Sequence, residues 1–258
     1  MRYVVKPFQW IYCVWAFAWF VTLMLILFPF VLIVSFLGRI RGGNAIFTIC
    51  MLWADLWFPL VLVFPKKIYE APHDRTKSYI FVANHTSLLD AALLPKAFRQ
   101  ALRPLGKVEM SKIPVFGYIY RKAIVTVDRN NAVDRAHSVR ILKSIIAKNI
   151  SVLFFPEGTY NQTAQPLKEF YSGAFRVAIE TQTAIKPVLF LDAYARLRYQ
   201  QPFTFNPGRC RIVFLDAISV ASLELKDAES LKEKVFKIME EKLRKYKVSW
   251  IPPAPKGE

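Results

Sequence analysis

Cysteine and histidine are scarce in this chain of 258 residues, which contains three of each. Cys13 and Cys50 lie in apolar segments and Cys210 enters a late strand-like segment, with no C-x-x-C pair and no cysteine–histidine cluster of zinc spacing. The sequence therefore lacks a disulfide framework, and we expect neither a metal nor a cofactor. A reducing, cytoplasmic setting is the simpler expectation for the polar part of the chain.

Charged residues are absent from residues 7–38, and residues 42–65 contain one, Asp55. Each run is long enough to cross about 30 Å of hydrocarbon. No small-residue cleavage site follows the first run, so we expect it to remain in the mature protein. Asp55 is costly in hydrocarbon and would by default suggest function. We favour a structural interpretation, in which Asp55 bonds a neighbouring tryptophan N–H or lies at headgroup depth.

The two apolar runs predict a membrane-embedded helical hairpin. We expect a helix over residues 10–36, a turn at 38–43, and a second helix capped by Asn44 with a kink at Pro59. Basic residues precede the hairpin, lie at its tip and follow it. Two full crossings would put the tip opposite the other basic groups, against the positive-inside rule. We favour a hairpin lying shallowly in one leaflet, with two crossings as the alternative.

Acidic residues are also few, 19 against 36 basic ones, which gives a formal charge of +17. A basic domain behind a membrane segment suggests anionic headgroups or acidic substrates as partners. The sequence contains no nucleic-acid-binding module, so we expect no nucleic acid among its partners.

Beyond residue 67 the pattern changes to alternating strands and helices, which predicts an α/β fold with a mainly parallel sheet flanked by helices. We expect a hairpin over residues 1–67, an α/β domain over 68–250 and a short tail over 251–258. The predicted strands are residues 79–83, 123–127, 151–155, 185–190 and 211–215. The predicted helices are residues 88–99, 132–148, 170–181 and 223–246, the last with an apolar stripe that should pack on the domain.

The segment from Phe81 to Asp90 is the first candidate site. An apolar strand ends at Asn84 and His85, and Asp90 falls in the first turn of the following helix. His85 at a strand end, with Asp90 on its other ring nitrogen, would form a general-base dyad. The alternative is a capping box in which Ser87 is the N-cap and Asp90 is structural. These ten residues alone leave both interpretations, the dyad and the capping box, open.

The other two histidines, His73 and His137, match no motif, and we interpret them as surface residues.

Two further polar clusters follow apolar strands. Glu157, Gly158 and Thr159 follow one strand, where the glycine allows a ligand to approach the backbone closely and the carboxylate can accept from a hydroxyl or hold an arginine. Asp128 and Arg129 follow another, and the guanidinium can hold a phosphate through two parallel N–H bonds. Each cluster alone could be an ordinary loop, but three such clusters behind a membrane hairpin indicate a site.

The order of these motifs resembles the lysophosphatidic acid acyltransferase family of the glycerolipid acyltransferase superfamily. The matching blocks are Asn-His-x4-Asp at residues 84–90, Val-Asp-Arg at 127–129, Phe-Pro-Glu-Gly-Thr at 155–159 and Ile-Lys-Pro-Val at 185–188. The resemblance covers residues 66–220, and the hairpin fits it as well. The His-x4-Asp block is weak alone but strong with the third block about 70 residues later.

The resemblance implies roles for the matching residues only. His85 is the expected general base and Asp90 its orienter. Arg129 is expected to bind the acceptor's phosphate, and Lys107 resembles the family's lysine before its second block, with a solvated surface lysine as the alternative. Glu157, Gly158 and Thr159 match the residues with which the family shapes the acceptor site, and we expect them to do so here.

The implied reaction is acyl transfer from a thioester to a lysolipid hydroxyl, with 1-acylglycerol 3-phosphate as the expected acceptor. The donor is acyl-CoA or acyl-carrier protein, between which charge does not discriminate. His85 would deprotonate the hydroxyl without an acyl-enzyme, and backbone N–H groups near Ser87 are a candidate oxyanion site. We expect the protein on the cytoplasmic face of the inner or cell membrane, with its catalytic domain in the cytoplasm.

Two departures from the family's pattern bear on the acceptor. Tyr160 follows Glu-Gly-Thr where the family usually has arginine, and Tyr171 stands where a lysine is frequent. Lys168 and Arg176 are candidates to compensate, and otherwise a lyso-aminolipid is the alternative acceptor. A non-catalytic lipid-binding protein is a second alternative, and a metal-dependent hydrolase using His85 ranks last because no ligand cluster supports it.

Overall fold

Two long helices begin the chain in the computed structural model, which describes residues 2–128 and 131–251. Helix α1 spans Arg2–Ser35 and helix α2 spans Gly38–Leu60, joined by two residues. Both helices are long and apolar enough to cross a membrane, α1 over Pro7–Ser35 and α2 over Gly38–Leu60. The remaining elements are, in order, β1 (Val63–Tyr69), β2 (Ile80–Ala83), α3 (Leu89–Ala97), β3 (Leu102–Lys107), α4 (Phe116–Ala123), β4 (Val125–Val127), α5 (Ala132–Ile146), β5 (Ser151–Phe154), α6 (Gly173–Thr181), β6 (Ile185–Phe190), α7 (Ala193–Arg196), β7 (Gly208–Phe214) and α8 (Ala228–Lys245), with short 3₁₀ turns at Val108–Lys112, Pro202–Thr204 and Leu225–Asp227.

The seven strands form one mixed sheet in the order β1-β7-β6-β2-β5-β3-β4. Five neighbouring strands, from β6 to β4, run parallel, and β7 pairs antiparallel with β6. The predicted α/β class with a mainly parallel sheet flanked by helices is therefore confirmed. Strand β2 lies between β5 and β6, where successive connections leave in opposite directions, and ligand sites of open α/β sheets lie at the carboxyl ends of such strands.

Alternating side chains of the central strands enter two separate apolar cores. Phe81, Leu153 and Val188 pack with α3 and with the inward-facing residues of α1 and α2. Val82, Val152 and Leu189 pack with α5, α6 and α8 on the other face. The hairpin thus covers one face of the sheet, and the apolar stripe of α8 packs on the domain as predicted. Residue 67, the predicted boundary of the hairpin, lies within β1.

Strands β1 and β3 were not predicted from the sequence. Pro65 and two lysines interrupt the apolar pattern of β1, which is an edge strand, where proline is tolerated because no neighbour needs its missing N–H. Arg103 and Pro104 interrupt β3 in the same way, although Arg103 is buried. Burial of an arginine inside a sheet depends on partners that are distant in sequence, so periodicity does not indicate it.

The predicted turn at residues 38–43 is wrong, because α2 already begins at Gly38. Gly42 and Gly43 are helical and buried, and they allow close packing. A Cβ on Gly42 would lie 2.7 Å from the Val34 carbonyl oxygen, and one on Gly43 would overlap Arg103 Nη2. Asn44 is therefore not an N-cap, and its Oδ1 accepts a 2.7 Å bond from Arg103 Nη2.

The expected partner of Asp55 is also wrong. Its carboxylate pairs with Lys96 Nζ at 2.5 Å and with the Arg99 guanidinium, both near the end of α3. The hairpin's indole N–H groups instead bond backbone carbonyls across the hairpin, as Trp57 does to Ala16 at 3.0 Å. Asp55 thus joins α2 to the sheet domain.

We expect Gly43→Ala to lower the midpoint of thermal unfolding in detergent. The added methyl would meet the guanidinium of Arg103 and, at 3.0 Å, the backbone carbonyl of Lys122, which cannot move away as a side chain can. Overpacking of this kind costs about 1–3 kcal/mol. Gly173→Ala is the matched control, since a Cβ there meets nothing within 4 Å. Equal midpoints for the two variants would contradict the tight docking of α2.

Candidate active site

His85 lies directly beyond the carboxyl end of β2, and Asn84 fixes where the strand ends. The buried Asn84 side chain donates to the Phe190 carbonyl at 3.0 Å and accepts from the Phe190 N–H at 2.8 Å, so it continues the pairing with β6 in place of backbone. The backbone is then free to turn at His85. The imidazole is thereby placed in the crevice expected at this point of the sheet.

The His85–Asp90 contact exists, and the same carboxylate also holds the turn that precedes α3. His85 Nδ1 lies 2.9 Å from Asp90 Oδ2, and the same oxygen accepts the N–H groups of Thr86 at 2.8 Å and Ser87 at 2.9 Å. The Ser87 hydroxyl accepts the Leu89 N–H at 3.0 Å. The predicted capping box with Ser87 as N-cap is wrong, because the N-cap of α3 is Leu88 and the Asp90 N–H bonds the backbone carbonyl of Ser87 instead of its hydroxyl. The fully buried Asp90 carboxylate nevertheless holds both the imidazole and the turn before α3.

The free edge of the imidazole lies between aromatic rings. With Nδ1 on Asp90, Nε2 is the nitrogen left for chemistry, and it has no hydrogen-bond partner among the residues described. The imidazole stacks on Phe155 and packs at a tilt of 37° on Tyr160, each with ring centroids 4.0 Å apart, and Tyr199 stacks on Tyr160 with centroids 3.9 Å apart. The His85 side chain is 15% exposed. A reactant can therefore reach Nε2 only along the ring edge.

Glu157 holds the loops of the site together. Its buried carboxyl accepts the His85 N–H at 2.8 Å and the Lys168 N–H at 2.9 Å, one on each oxygen. Burial raises the pKa of Glu157 from 4.5 to about 8, and the two N–H bonds offset this only in part. Because both of its oxygens accept backbone N–H groups, the Glu157 side chain fixes the position of the His85 backbone.

The structure brings together some of the predicted site residues. His85, Asp90 and Glu157 are in direct contact through the bonds above, and Gly158 follows with a φ of +72°, a backbone conformation that favours glycine. Thr159 is partly buried beside it. Lys107 ends β3 and is exposed at the same edge of the sheet. Arg129 lies outside the described residues.

The two residues proposed to replace the missing basic groups lie in different places, with Lys168 close enough to Glu157 for its charge to favour the carboxylate. Lys168 is exposed and contributes its backbone to Glu157, and Arg176 is exposed on α6, in the layer opposite the hairpin. Tyr171 is 70% exposed. Tyr160, in contrast, takes its place on the imidazole, and burial raises the pKa of its phenol, so that it stays neutral.

Several local expectations need correction. The N–H groups of Thr86, Ser87 and Leu89 are engaged with Asp90 or Ser87, so these three groups do not form the expected oxyanion site. His73 is not a surface residue, since it packs among Tyr69, Tyr79, Phe81 and Phe214. Between residues 2–128 and 131–251, no group of three or more His, Cys, Asp or Glu side chains could hold a metal ion.

Three residues around His85 were missed from the sequence. Phe155 and Tyr199 supply the stacking described above, and the Asn161 N–H donates to the His85 carbonyl at 2.7 Å. Phe155 was visible as the end of a strand and Asn161 as a turn residue, but neither pattern indicates a partner. Tyr199 lies over 110 residues from His85 and carries no sequence signal.

Comparison with known proteins identifies a family. Residues 66–191 match the family model described as Acyltransferase. The chain is 28% identical over 165 residues to 1-acyl-sn-glycerol-3-phosphate acyltransferase alpha of Mus musculus, covering 62% of this chain and 56% of that protein. It is 25% identical over 197 residues to the 1-acyl-sn-glycerol-3-phosphate acyltransferase of Haemophilus influenzae, covering 74% and 79%. The match spans a little over half the length of the mouse relative.

The fold also occurs in a solved structure. The crystal structure of the 1-acyl-sn-glycerophosphate acyltransferase PlsC from Thermotoga maritima superposes with a TM-score of 0.72 at 21% identity, covering 98% of this chain and 100% of that one. At this identity the superposition supports the fold, including the two N-terminal helices.

The raised pKa of Glu157 gives a pH-dependent prediction. Between pH 4.5 and 8 the unfolded state releases this proton while the folded state keeps it, so rising pH favours unfolding of the wild type by up to about 1.4 kcal/mol per pH unit. Glu157→Gln has no such proton. The unfolding midpoint of the wild type relative to Glu157→Gln should therefore decline from pH 5 to pH 8, measured by thermal melts in detergent.

The exposed Glu169 supplies the matched control, because Glu169→Gln removes a carboxyl from the same loop without removing a buried one. Its midpoint difference from the wild type should stay flat over this range. If the unfolding midpoint of the wild type instead rises relative to that of Glu157→Gln as the pH increases, the folded protein favours the ionised form of Glu157 and the prediction is wrong.

Proposed function

Because this chain belongs to the lysophosphatidic acid acyltransferase family, we propose that it transfers a fatty acyl group from an acyl thioester to the free hydroxyl of a lysolipid. The expected acceptor is 1-acylglycerol 3-phosphate, which would give phosphatidic acid. The observation that carries the proposal is the His85–Asp90 contact at the sheet crevice, with Nε2 turned to the reactants. The relatives named above carry this acceptor in their names.

The geometry supports a direct transfer. Asp90 on Nδ1 sets the tautomer in which Nε2 carries a lone pair. Nε2 takes the proton of the acceptor hydroxyl as its oxygen attacks the thioester carbonyl carbon. The C–S bond then breaks, and the imidazolium returns its proton to the leaving thiolate. Asp90 stabilises the imidazolium in between, and no acyl-enzyme forms.

The remaining residues have positioning and binding roles in this proposal. Glu157 holds the His85 backbone, and Gly158 and Thr159 shape the acceptor side of the crevice. Lys107, which ends β3 at the carboxyl edge of the sheet, and Arg129, which matches the family's second block, bind the acceptor's phosphate. Phe155 and Tyr160 restrict His85 to the rotation in which Nε2 meets the hydroxyl.

A lyso-aminolipid is the second candidate acceptor, and one observation favours it. Tyr160 occupies the position after Glu-Gly-Thr with a neutral ring stacked on the imidazole, so the loop contributes no cation there. A headgroup with less negative charge would need fewer cations. Turnover with a panel that contains both lysolipids distinguishes the two candidate acceptors.

Membrane attachment of this enzyme is proposed to be shallow, on the cytoplasmic face of the inner or cell membrane. Many large apolar side chains of α1 are exposed, among them Phe17, Phe30 and Ile33. Helix α2, in contrast, docks on the domain at both of its ends, through Asn44 to Arg103 and through Asp55 to α3. A helix tied along its length to a polar domain is better placed beside a leaflet than across it.

Turnover by purified protein tests the function. A panel of lysolipids that includes 1-acylglycerol 3-phosphate and lyso-aminolipids is offered with acyl-CoA and with acyl-carrier protein, and the ester product is measured. His85→Ala should lower kcat by about 10²-fold or more because the base is lost. His137→Ala, on the exposed face of α5, should not change it.

The outcomes separate the candidates. Turnover with an aminolipid alone favours the second acceptor, and undiminished turnover of His85→Ala removes the proposed base. Lipid binding by the wild type without any ester product would favour the non-catalytic alternative.

Cysteine labelling tests the shallow hairpin. Arg41 is exposed near the hairpin tip, whereas Gly42 is buried against α1 and unsuitable for substitution. Arg41→Cys, in a background with the three native cysteines replaced by serine, should be labelled by an impermeant reagent from the same membrane side as Tyr171→Cys in the sheet domain. Labelling of the two positions from opposite sides would establish two crossings instead.

A further inference from the structure

A group of basic side chains surrounds Asp55 where helix α2 meets the sheet domain. Lys96 and Arg99, near the end of α3, pair directly with the Asp55 carboxylate. The charge of Lys67, on β1, interacts with this trio and with Arg75, in the loop that follows β1. Four cations against one carboxylate give a net charge of +3 on this group, which we call the junction cluster.

Strand alternation places Lys67 on the face of the sheet that the hairpin covers. Val63, in the same strand, enters the apolar core shared with α1 and α2, and Lys67 follows it by four residues. Lys66 belongs to the opposite face with Ile68, which packs against the other core. Lys67 therefore faces the hairpin side, whereas its neighbour Lys66 does not.

Two of the four cations lack a partner. In the part of the chain that the structure describes, neither the Lys67 ammonium nor the Arg75 guanidinium makes a hydrogen bond or an ion pair. Asp74, beside Arg75 in the chain, is paired with Lys77 at 3.8 Å. The pKa of Lys67 falls from 10.5 to about 8, first because the side chain is half-buried and then because the other three cations are positive, with Asp55 opposing them. Like charges crowded in this way are relieved by an anion, so the cluster indicates an anionic ligand.

Helix α2 shows that the junction cluster borders an apolar surface. Leu52, Leu56 and Leu60 are exposed at four-residue spacing, so they form one stripe on the outside of the helix. Asp55 lies at the margin of this stripe, one position before Leu56. The surface therefore changes from apolar to cationic within about one helical turn, as the boundary between hydrocarbon and anionic headgroups in a membrane requires.

We propose that the junction cluster binds the phosphate of an anionic membrane phospholipid whose acyl chains lie along the leucine stripe of α2. Arginine holds phosphate oxygens through parallel N–H bonds and lysine adds a point charge, so Arg75 and Lys67 supply both modes of binding. The negative ligand offsets the excess charge, and its chains cover leucines that are otherwise exposed. A zwitterionic phospholipid fits less well, because the cations repel its ammonium group.

The junction cluster is separate from the crevice at His85. Helix α3 begins directly after the His85 turn, and Lys96 and Arg99 lie at its other end. Its nine residues span about 13 Å. The inference therefore adds a lipid site to the proposed function and does not depend on acyl transfer. A lipid bound there would hold the junction of α2 and α3 at headgroup depth.

Calorimetry with a short-chain phosphatidylglycerol tests the site in the full-length protein in a nonionic detergent. Lys67→Gln and Arg75→Gln should each weaken binding about fivefold or more, because each removes one positive charge from around the phosphate. Lys66→Gln is the matched control, since it removes the same charge from the next residue of β1, and it should bind like the wild type. Equal weakening by Lys66→Gln would reduce the effect to overall surface charge and overturn the site.

The choice of ligand separates a lipid from other anions. Binding is compared as the difference between the wild type and Lys67→Gln, so that any binding in the His85 crevice cancels. Phosphatidylcholine of the same chain length should bind about fivefold more weakly or worse, and inorganic phosphate more than about tenfold more weakly because it lacks acyl chains. Phosphatidylcholine that binds as tightly as phosphatidylglycerol would contradict anionic recognition, and phosphate that does so would contradict a lipid ligand.

Thermal melts distinguish a binding role from a structural one. At pH 7 without lipid, Lys67→Gln should unfold at the same temperature as the wild type or above it, since it removes a charge that its neighbours repel. Added phosphatidylglycerol should raise the wild-type midpoint more than that of the variant. If Lys67→Gln unfolds earlier without lipid, Lys67 is a structural residue and its place in the site is overturned. Arg75→Gln, in an exposed loop, then decides whether phosphatidylglycerol binds here.

Kinetics separate this inference from the proposed function. Lys67→Gln should leave the KM for the lysolipid acceptor unchanged in detergent, because the junction cluster lies at the far end of α3 from His85. A raised acceptor KM would place Lys67 in the acceptor site and overturn a separate lipid site, while the acyltransferase proposal would stand. If the wild type esterifies no lysolipid, phosphatidylglycerol binding that depends on Lys67 and Arg75 still supports the junction cluster.

Discussion

One carboxylate oxygen organises the site. Asp90 Oδ2 accepts from the His85 ring and from the N–H groups of Thr86 and Ser87, so it fixes the imidazole and closes the turn that leads into α3. Because the carboxylate is fully buried, these bonds are made without competition from water, and losing one would leave a buried donor unsatisfied. The spacing of five residues between the histidine and the aspartate is therefore set by the geometry of a helix start as well as by chemistry. The local fold and the orientation of the His85 ring therefore depend on the same contact.

Around this contact, backbone is held by side chains at the ends of two neighbouring strands. Asn84 continues the pairing of β2 with β6, and Glu157, after β5, holds the backbone N–H of His85. Three kinds of contact thus position the imidazole: a hydrogen bond to the backbone of His85, a hydrogen bond to its ring nitrogen, and ring packing against its two faces. Phe155 and Tyr160 supply the faces, and the stack continues to Tyr199. An arginine in place of Tyr160 would leave one face of the ring without this packing, so the departure from the family's pattern changes both the charge and the shape of the crevice.

The hairpin is part of the same structure, because it shares an apolar core with one face of the sheet. Helical glycines let α2 approach closely, and the buried Arg103 donates to Asn44 and to the Ile40 carbonyl where the helix begins. Farther along, Asp55 pairs with α3. Since α3 begins directly after the His85 turn, the two N-terminal helices are connected to His85 through one short helix. The apolar hairpin and the imidazole are therefore held in a fixed relation.

The sequence by itself determined the α/β class, the positions of most central strands and the His85–Asp90 pair, because hydrophobic periodicity and a helix-start motif are local and depend on neighbours in the chain. Only the tertiary structure decided the partners that are distant in sequence. The glycines of the hairpin could be read as a turn or as packing points, and the choice depended on Arg103, about 60 residues away. Edge strand β1 was hidden because its proline and lysines break the pattern that burial normally produces. Tyr199 meets Tyr160 because of the order of strands in the sheet. No local pattern specifies this contact, since side-chain contacts between loops arise only once the strands are paired.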